Sequence, residues 1–308
     1  MTETRQRRSG FAIFCWVVLA CTVAVILWGA YVRATGSGAG CGSHWPTCNG
    51  EVIPRSPSAE TLIEFTHRLS SGLLGLMVLG LLAGAWRKFP ARHRVRLGAF
   101  AAFLLVLAEA LIGAGLVRFE WVADNASVAR VIVVGFHLAN TFLLLAALTL
   151  TAWWAGGGRP IRPRLSGGGG WIAACLTGIL LVGAVGAVTA LGDTLLLQSG
   201  IQPQHSRVVD ALVWLRYLHP LLALMMVVPV MAASMQFSQP PTRLCARLLT
   251  GAFHLQILLG VVNILLKAPV WMQMVHLLVA DALWIILVLL AATAWGEGIA
   301  RQDAEIAK

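Results

Sequence analysis

The sequence predicts an all-α integral membrane protein of eight transmembrane helices, arranged as two tandem four-helix bundles related by a pseudo-twofold axis along the membrane normal. Its composition, its apolar runs and an internal repeat together predict this fold. Of the 308 residues, 58% are hydrophobic and only 12% are charged, whereas charged residues make up about a quarter of a soluble globular domain. This composition excludes an ordinary soluble domain.

The apolar residues fall into eight long runs separated by polar or Gly/Pro-rich breaks. A helix that crosses the hydrocarbon core of a bilayer needs about 20 apolar residues, and every run meets that length. The predicted spans are 11–32, 61–86, 97–117, 128–154, 171–192, 208–235, 243–266 and 270–296. The first run is too long for a signal peptide and has no small-residue cleavage motif, so we expect it to remain as a span.

The distribution of basic residues predicts the topology of the chain in the membrane. The net charge is +10, but the positive charges alternate by loop instead of covering one soluble surface, so we expect membrane lipid as a partner and no nucleic acid. Most of the basic residues lie at the N-terminus, in every second loop and at the C-terminus. The positive-inside rule then places both termini in the cytoplasm of a multi-pass protein of the cell membrane.

The sequence contains an internal repeat. His67 and His219 occupy matching places in the second span of each half, and His137 and His276 open the fourth. Two halves of four spans each have the same orientation, which calls for an axis along the membrane normal. The predicted divisions are an N-terminal half at 1–155 with an outer loop at 33–60, a Gly/Arg/Pro linker at 156–170, and a C-terminal half at 171–308.

The four repeated histidines are the strongest candidates for chemistry. Each lies about 9–17 Å from the outer end of its span, at 1.5 Å per residue. An imidazole inside a helical bundle is costly without a partner. Four of them at matching depths fit two axial haem pairs, one in each half, and the sites would lie toward the outer face. Zinc is less expected, because no cysteine accompanies these histidines.

Arginines stand at the outer ends of the spans, where positive charge is otherwise avoided. Guanidinium groups there could pair with haem propionates, or they could snorkel without a ligand. The candidates for propionate contacts are Arg33, Arg68, Arg207 and Arg216.

One acid distinguishes the two halves. Glu64 stands three residues before His67 and therefore shares its helix face, whereas the matching position in the sixth span is Arg216. A carboxylate beside one site only predicts that the N-terminal site performs chemistry and that the C-terminal site relays electrons.

The outer loop contains Cys41 and Cys48. Outside the cytoplasm such a pair can form a disulfide, and the bridge could be a structural staple or a redox-active pair.

Pro220 is expected to bend the sixth span. The roles of His205, Glu109 and Asp281 remain open.

Several motifs together resemble those of the haem A synthase family. They are Gly-Ala-Tyr-Val-Arg33-Ala-Thr-Gly-Ser-Gly, the Cys41–Cys48 loop, Glu64-Phe-Thr-His67-Arg68-Leu-Ser-Ser-Gly, Phe136-His137-Leu-Ala-Asn, Leu218-His219-Pro and Val275-His276-Leu.

The resemblance implies a haem b held by His219 and His276, and a substrate haem O bound through His67 and His137. It implies that Glu64 is the catalytic residue and that the reaction oxidises the C8 methyl of haem O to the formyl group of haem A, via a hydroxymethyl intermediate. It also implies haem O synthase as the haem donor and a link to terminal oxidase assembly, while the electron donor and a homo-oligomeric state are left open.

Two other functions fit parts of the pattern. A dihaem membrane cytochrome b that only transfers electrons from quinol would use the histidines and arginines, but it leaves Glu64 and the cysteine loop without a role. A repeat-built transporter with proton-relaying histidines would bind no haem.

Overall fold

A computed structural model of the protein describes the backbone of residues 2–198, 200 and 207–306, and the side chains of residues 10–196, 200 and 207–296. Those residues are helical apart from connecting loops and short turns, and no strand is found among them. The helices are α1 Thr2–Ala34, α2 Ala59–Lys88, α3 Arg94–Arg118, α4 Val128–Ala155, α5 Gly169–Asp193, α6 Arg207–Met225, α7 Val227–Gln236, α8 Arg243–Leu265 and α9 Val270–Ile306.

Eight segments among the described residues are long and apolar enough to cross a membrane, with α6 and α7 together forming one of them. The prediction of an all-α protein with eight transmembrane helices is therefore confirmed, and the protein is a multi-pass membrane protein. The side of the membrane on which its termini lie stays a prediction.

Local sequence signals set several helix starts. Ser58 accepts a hydrogen bond from the backbone N–H of Thr61 at 3.2 Å, and Ser127 accepts one from Arg130 at 3.3 Å. His93, in a basic loop, accepts one from Val95 at 3.2 Å. Each side chain satisfies one of the amide groups that a helix leaves open in its first turn.

The sixth span is interrupted between α6 and α7, and the bend expected at Pro220 stays a prediction. Pro220 lies inside α6, and the helix ends at Met225 and resumes at Val227. Pro229 explains the place, because it has no N–H to donate to the carbonyl of Met225 four residues earlier. The backbone tightens there, with the N–H of Met226 donating to the carbonyl of Ala223 at 3.2 Å.

Neighbouring helices contact one another within each half. In the N-terminal half α1, α2, α3 and α4 pack in sequence and α4 returns to α1, while in the C-terminal half α5 contacts α6, α7 and α9, and α8 contacts α7 and α9. The two halves meet where α1 and α4 pack against α5 and α9. The pseudo-twofold axis and the division of the chain into domains remain predictions.

Specific polar bonds join the halves. The indole N–H of Trp284 on α9 donates to the carbonyl of Phe142 on α4 at 2.6 Å, and the two rings stack with centroids 5.0 Å apart. Near the end of α1, Arg33 donates to the carbonyl of Ala190 at 2.7 Å and to the side-chain oxygen of Gln273 at 3.0 Å. These contacts fix the position of one half against the other at two places, around Trp284 and around Arg33.

Candidate functional site

The four repeated histidines meet in two pairs, one in each half. His67 of α2 lies within electrostatic range of His137 of α4, and His276 of α9 lies within the same range of His219 of α6. The structure therefore brings together the residues that the repeat predicts as partners. Ligation of iron by them stays a prediction.

A glycine on the first helix of each half makes room for one imidazole. A Cβ atom added to Gly29 of α1 would lie 2.8 Å from Cε1 of His67, and one added to Gly186 of α5 would lie 2.8 Å from Cε1 of His219. Real Cβ atoms do not approach other heavy atoms so closely. Gly29 and Gly186, which lie near the outer ends of the first span of each half, therefore leave room for the imidazoles where they lie, and a larger residue at either position would displace the ring.

The histidine pairs fit a haem better than a bare metal ion. The Nδ1 atoms of His67 and His276 are buried and have no hydrogen-bond partner, which is unusual for polar atoms inside a protein. No group of three or more His, Cys, Asp or Glu side chains that could hold a metal ion occurs in the described part of the chain. Haem iron needs only two axial protein ligands, and the two histidines of each pair would supply them.

Glu109 of α3 contacts the first pair, which the sequence analysis did not foresee. Its carboxylate forms an ion pair with Nδ1 of His137 and accepts hydrogen bonds from Asn140 at 2.8 Å and Thr141 at 2.9 Å. The repeat aligns Glu109 with Gln256, and this alignment could have revealed the role. Gln256 also contacts a repeated histidine, because its amide nitrogen lies 3.1 Å from Nε2 of His276.

Glu64 is buried, with 3% of its surface exposed. One carboxylate oxygen accepts a hydrogen bond from the backbone N–H of Cys41 at 2.8 Å. The other accepts two from Arg68, at 3.1 Å from Nε and 2.5 Å from Nη2. The carboxylate is thus fixed on both sides, one turn of α2 from His67.

The Cys41–Cys48 disulfide is present, and the loop that it closes rests on α2. Arg68 donates through Nη1 to the carbonyl of His44 at 2.6 Å and to that of Thr47 at 2.7 Å. The hydroxyl of Thr61 donates to the carbonyl of Gly40 at 2.7 Å. The loop therefore covers Glu64 and supplies one of its hydrogen bonds, the one from Cys41. The cysteine loop and Glu64, which were predicted as separate features, are thus in contact.

The candidate propionate arginines have different surroundings. Arg33 bonds across to the C-terminal half, Arg68 binds Glu64 and the disulfide loop, and Arg216 forms an ion pair with Asp193 at 2.6 Å. Arg207 is exposed at the start of α6. Three of the four guanidinium groups thus have protein partners, and a propionate would have to share them.

Two further residues were left open by the sequence. Asp281 is fully buried on α9, and neither of its carboxylate oxygens has a hydrogen-bond partner within the described residues. His205 lies outside the described residues.

Comparison with known proteins gives consistent matches along the chain. The family model described as Cytochrome oxidase assembly protein, COX15-CtaA, matches residues 12–288. A protein of Halalkalibacterium halodurans named heme A synthase is 32% identical over 85% of this chain and 89% of its own length. A heme A synthase of Alkalihalophilus pseudofirmus is 40% identical over 47% of each chain.

A longer relative also matches. A Thermus thermophilus protein named protoheme IX farnesyltransferase is 50% identical over 98% of this chain. The chain spans about half the length of that relative, 51%. With a family model matched over most of its length and a relative of similar extent aligned with it, the chain belongs to the COX15-CtaA family of cytochrome oxidase assembly proteins, the haem A synthase family.

Proposed function

We propose that this protein is a haem A synthase that oxidises the C8 methyl of haem O to a formyl group through a hydroxymethyl intermediate. The observation that carries the proposal is the asymmetry between the two histidine pairs. A buried carboxylate, Glu64, stands one helical turn from His67, whereas Arg216 occupies the matching position in the other half and is paired with Asp193. The position one turn before the histidine therefore holds a carboxylate in the N-terminal half and a guanidinium in the C-terminal half, where the carboxylate partner, Asp193, comes from α5 instead.

The asymmetry assigns a role to each half. His67 and His137 would hold the substrate haem O, and His219 and His276 would hold haem b. Haem iron supplies the one-electron chemistry that an unactivated methyl carbon needs, while the protein supplies orientation and electrostatics. The sites would lie toward the outer face, with both termini in the cytoplasm.

Glu64 would act on charge that develops at the substrate carbon. Conversion of a methyl to a formyl group removes electrons and protons from that carbon in two oxidation steps and adds one oxygen. A fixed carboxylate can accept a proton from attacking water or stabilise positive charge as it develops. The bonds from Cys41 and Arg68 hold the carboxylate in place without reorganisation, which is the condition for electrostatic catalysis.

The longer Thermus relative indicates the kind of activity that would supply haem O. That relative is named protoheme IX farnesyltransferase, and about half of it matches nearly the whole of this chain. Two activities joined in one polypeptide commonly act in sequence. This supports haem O synthase as the haem donor of this protein, with the terminal oxidase as the recipient of the product.

Co-expression with a haem O synthase is expected to produce haem A in a host that makes none, because the chain would oxidise haem O but not farnesylate haem. The measurement is extraction of membrane pigments followed by chromatography. The control is each enzyme expressed alone. Absence of haem A in membranes where both proteins are shown to be folded would contradict the proposal.

Filling the glycine cradles is expected to weaken haem binding in one half at a time. Overpacking costs about 1–3 kcal/mol, which corresponds to roughly a 5- to 150-fold lower affinity. Gly29→Ala should reduce the haem content of the N-terminal half and Gly186→Ala that of the C-terminal half, measured by absorption spectroscopy of purified protein.

Gly80→Ala serves as the matched control for both cradle variants. Gly80 also lies within a helix, but an added Cβ atom there would meet nothing within 4 Å, so wild-type haem content is expected. Equal haem loss in all three variants would mean that general destabilisation, and not the cradle, is responsible.

A further inference from the structure

Glu109 and the residues around it form a compact hydrogen-bonded cluster between α3 and α4. One carboxylate oxygen accepts from the amide of Asn140 at 2.8 Å and from the hydroxyl of Thr141 at 2.9 Å. The other pairs with Nδ1 of His137. Asn140 is itself fixed, since its amide also donates to the carbonyl of Leu105 at 3.0 Å. Glu109 additionally lies within electrostatic range of His67, so the cluster belongs to the N-terminal site.

The cluster requires a carboxylate and selects one tautomer of His137. Asn140 and His137 direct donors at Glu109, and the one hydroxyl proton of Thr141 is shared between this carboxylate and the carbonyl of His137, each 2.9 Å away. An ionised carboxylate can accept from all of them because it donates to none. With its proton on Nδ1 and shared with Glu109, the imidazole of His137 keeps the lone pair of Nε2 free. That is the nitrogen available to a metal, and a carboxylate behind a ligating histidine increases the basicity of the ligand.

The matching residue in the other half makes a different contact. Gln256 is neutral, and its amide nitrogen lies 3.1 Å from Nε2 of His276 instead of from Nδ1. The Nδ1 atom of His276 is buried without a partner. A bound iron would have to displace the amide from Nε2, and the ligand would then have no anionic group behind it. His137 and His276 are thus equivalent in the repeat but unequal as ligands.

We propose that Glu109 is a positioning residue that makes His137 the more strongly donating ligand, and that this gives the haem of the N-terminal half a lower reduction potential than that of the C-terminal half. The inference rests on the proposed binding of one haem in each half. A lower potential at the first site favours electron transfer from a reduced haem in the N-terminal half to an oxidised haem in the C-terminal half. Glu64 acts at a different place, beneath the disulfide loop.

The test is a pair of reciprocal substitutions, with the two haem components resolved by redox titration and by their low-spin electron paramagnetic resonance signals. Glu109→Gln should shift the midpoint potential of the N-terminal haem upward and leave that of the C-terminal haem unchanged. Loss of a carboxylate behind a ligand commonly weakens metal binding by about 10- to 100-fold, so haem occupancy of the N-terminal half should fall as well.

Gln256→Glu should lower the midpoint potential of the C-terminal haem and leave the N-terminal haem unchanged. It also keeps the inference testable if Glu109→Gln fails to fold. An unchanged potential in either folded variant would overturn the inference.

These readouts separate the inference from the proposed activity. The midpoint potential and the haem occupancy are equilibrium properties of bound haem, and measuring them needs no turnover. A protein that shows both shifts but makes no haem A would contradict the synthase proposal and retain the role of Glu109. A protein that makes haem A but shows no shift would retain the synthase proposal and reject that role.

Discussion

Glu64→Gln is expected to lower haem A formation by about 100-fold or more, while the protein still folds and still binds haem in both halves. The magnitude is that of removing a catalytic carboxylate or a preorganised charge. Glutamine keeps the size of the side chain but cannot accept a proton or stabilise a cation as a carboxylate does. Chromatography of extracted pigments should show that haem O or the hydroxymethyl form accumulates.

The structure adds a control that the sequence could not supply. Glu64 also holds the disulfide loop, because it accepts from the N–H of Cys41 at 2.8 Å, so loss of activity could follow from a displaced loop. Thr61→Val removes another bond to that loop, the one from Thr61 to Gly40 at 2.7 Å, and leaves the Glu64 carboxylate intact. We expect this variant to retain most of its activity. Wild-type haem A levels in Glu64→Gln would remove Glu64 from the mechanism.

His219→Ala and His276→Ala are each expected to abolish the low-spin haem b spectrum while the N-terminal half still binds its haem. Each pair of histidines is built from helices of one half, so loss of one ligand should empty only that site. The measurement is the absorption spectrum and the haem content of the purified variants.

His254→Ala is the matched control, since His254 lies on α8 in the same half but is exposed and bonds to the carbonyl of Thr250 at 2.8 Å. It should keep both haems. Simultaneous loss of both haems in His219→Ala or His276→Ala, in protein that remains folded, would indicate one shared site.

The sequence predicts the membrane spans well because each span is decided by its own composition. An apolar run of sufficient length must form a helix in lipid, where backbone groups have no other partner. Pairing of the histidines within each half was also predictable, since the repeat aligns His67 with His219 and His137 with His276. The interruption of the sixth span near Pro229 was not predicted, because two prolines lie in the run and sequence alone does not show which missing N–H is compensated.

Contacts between distant segments were not predictable. The bond between Glu64 and Cys41 depends on how a loop of irregular structure folds back onto α2, and no periodic pattern encodes that. The same holds for the bonds of Arg33, a candidate for a propionate contact, to Ala190, Thr194 and Gln273 of the other half. The sequence leaves the role of Glu109 open, because its contact with His137 depends on the rotation of α3 against α4.

The most direct test of the account is the haem composition of the purified wild-type protein from cells that also contain a haem O synthase. The account predicts two haems per chain, one of them haem b and the other haem O, its hydroxymethyl derivative or haem A. Extraction and chromatography with quantified protein would measure both the identity and the ratio. Haem b alone in both halves, with no haem O or product of it, would contradict the account and identify the protein as an electron-transferring dihaem cytochrome.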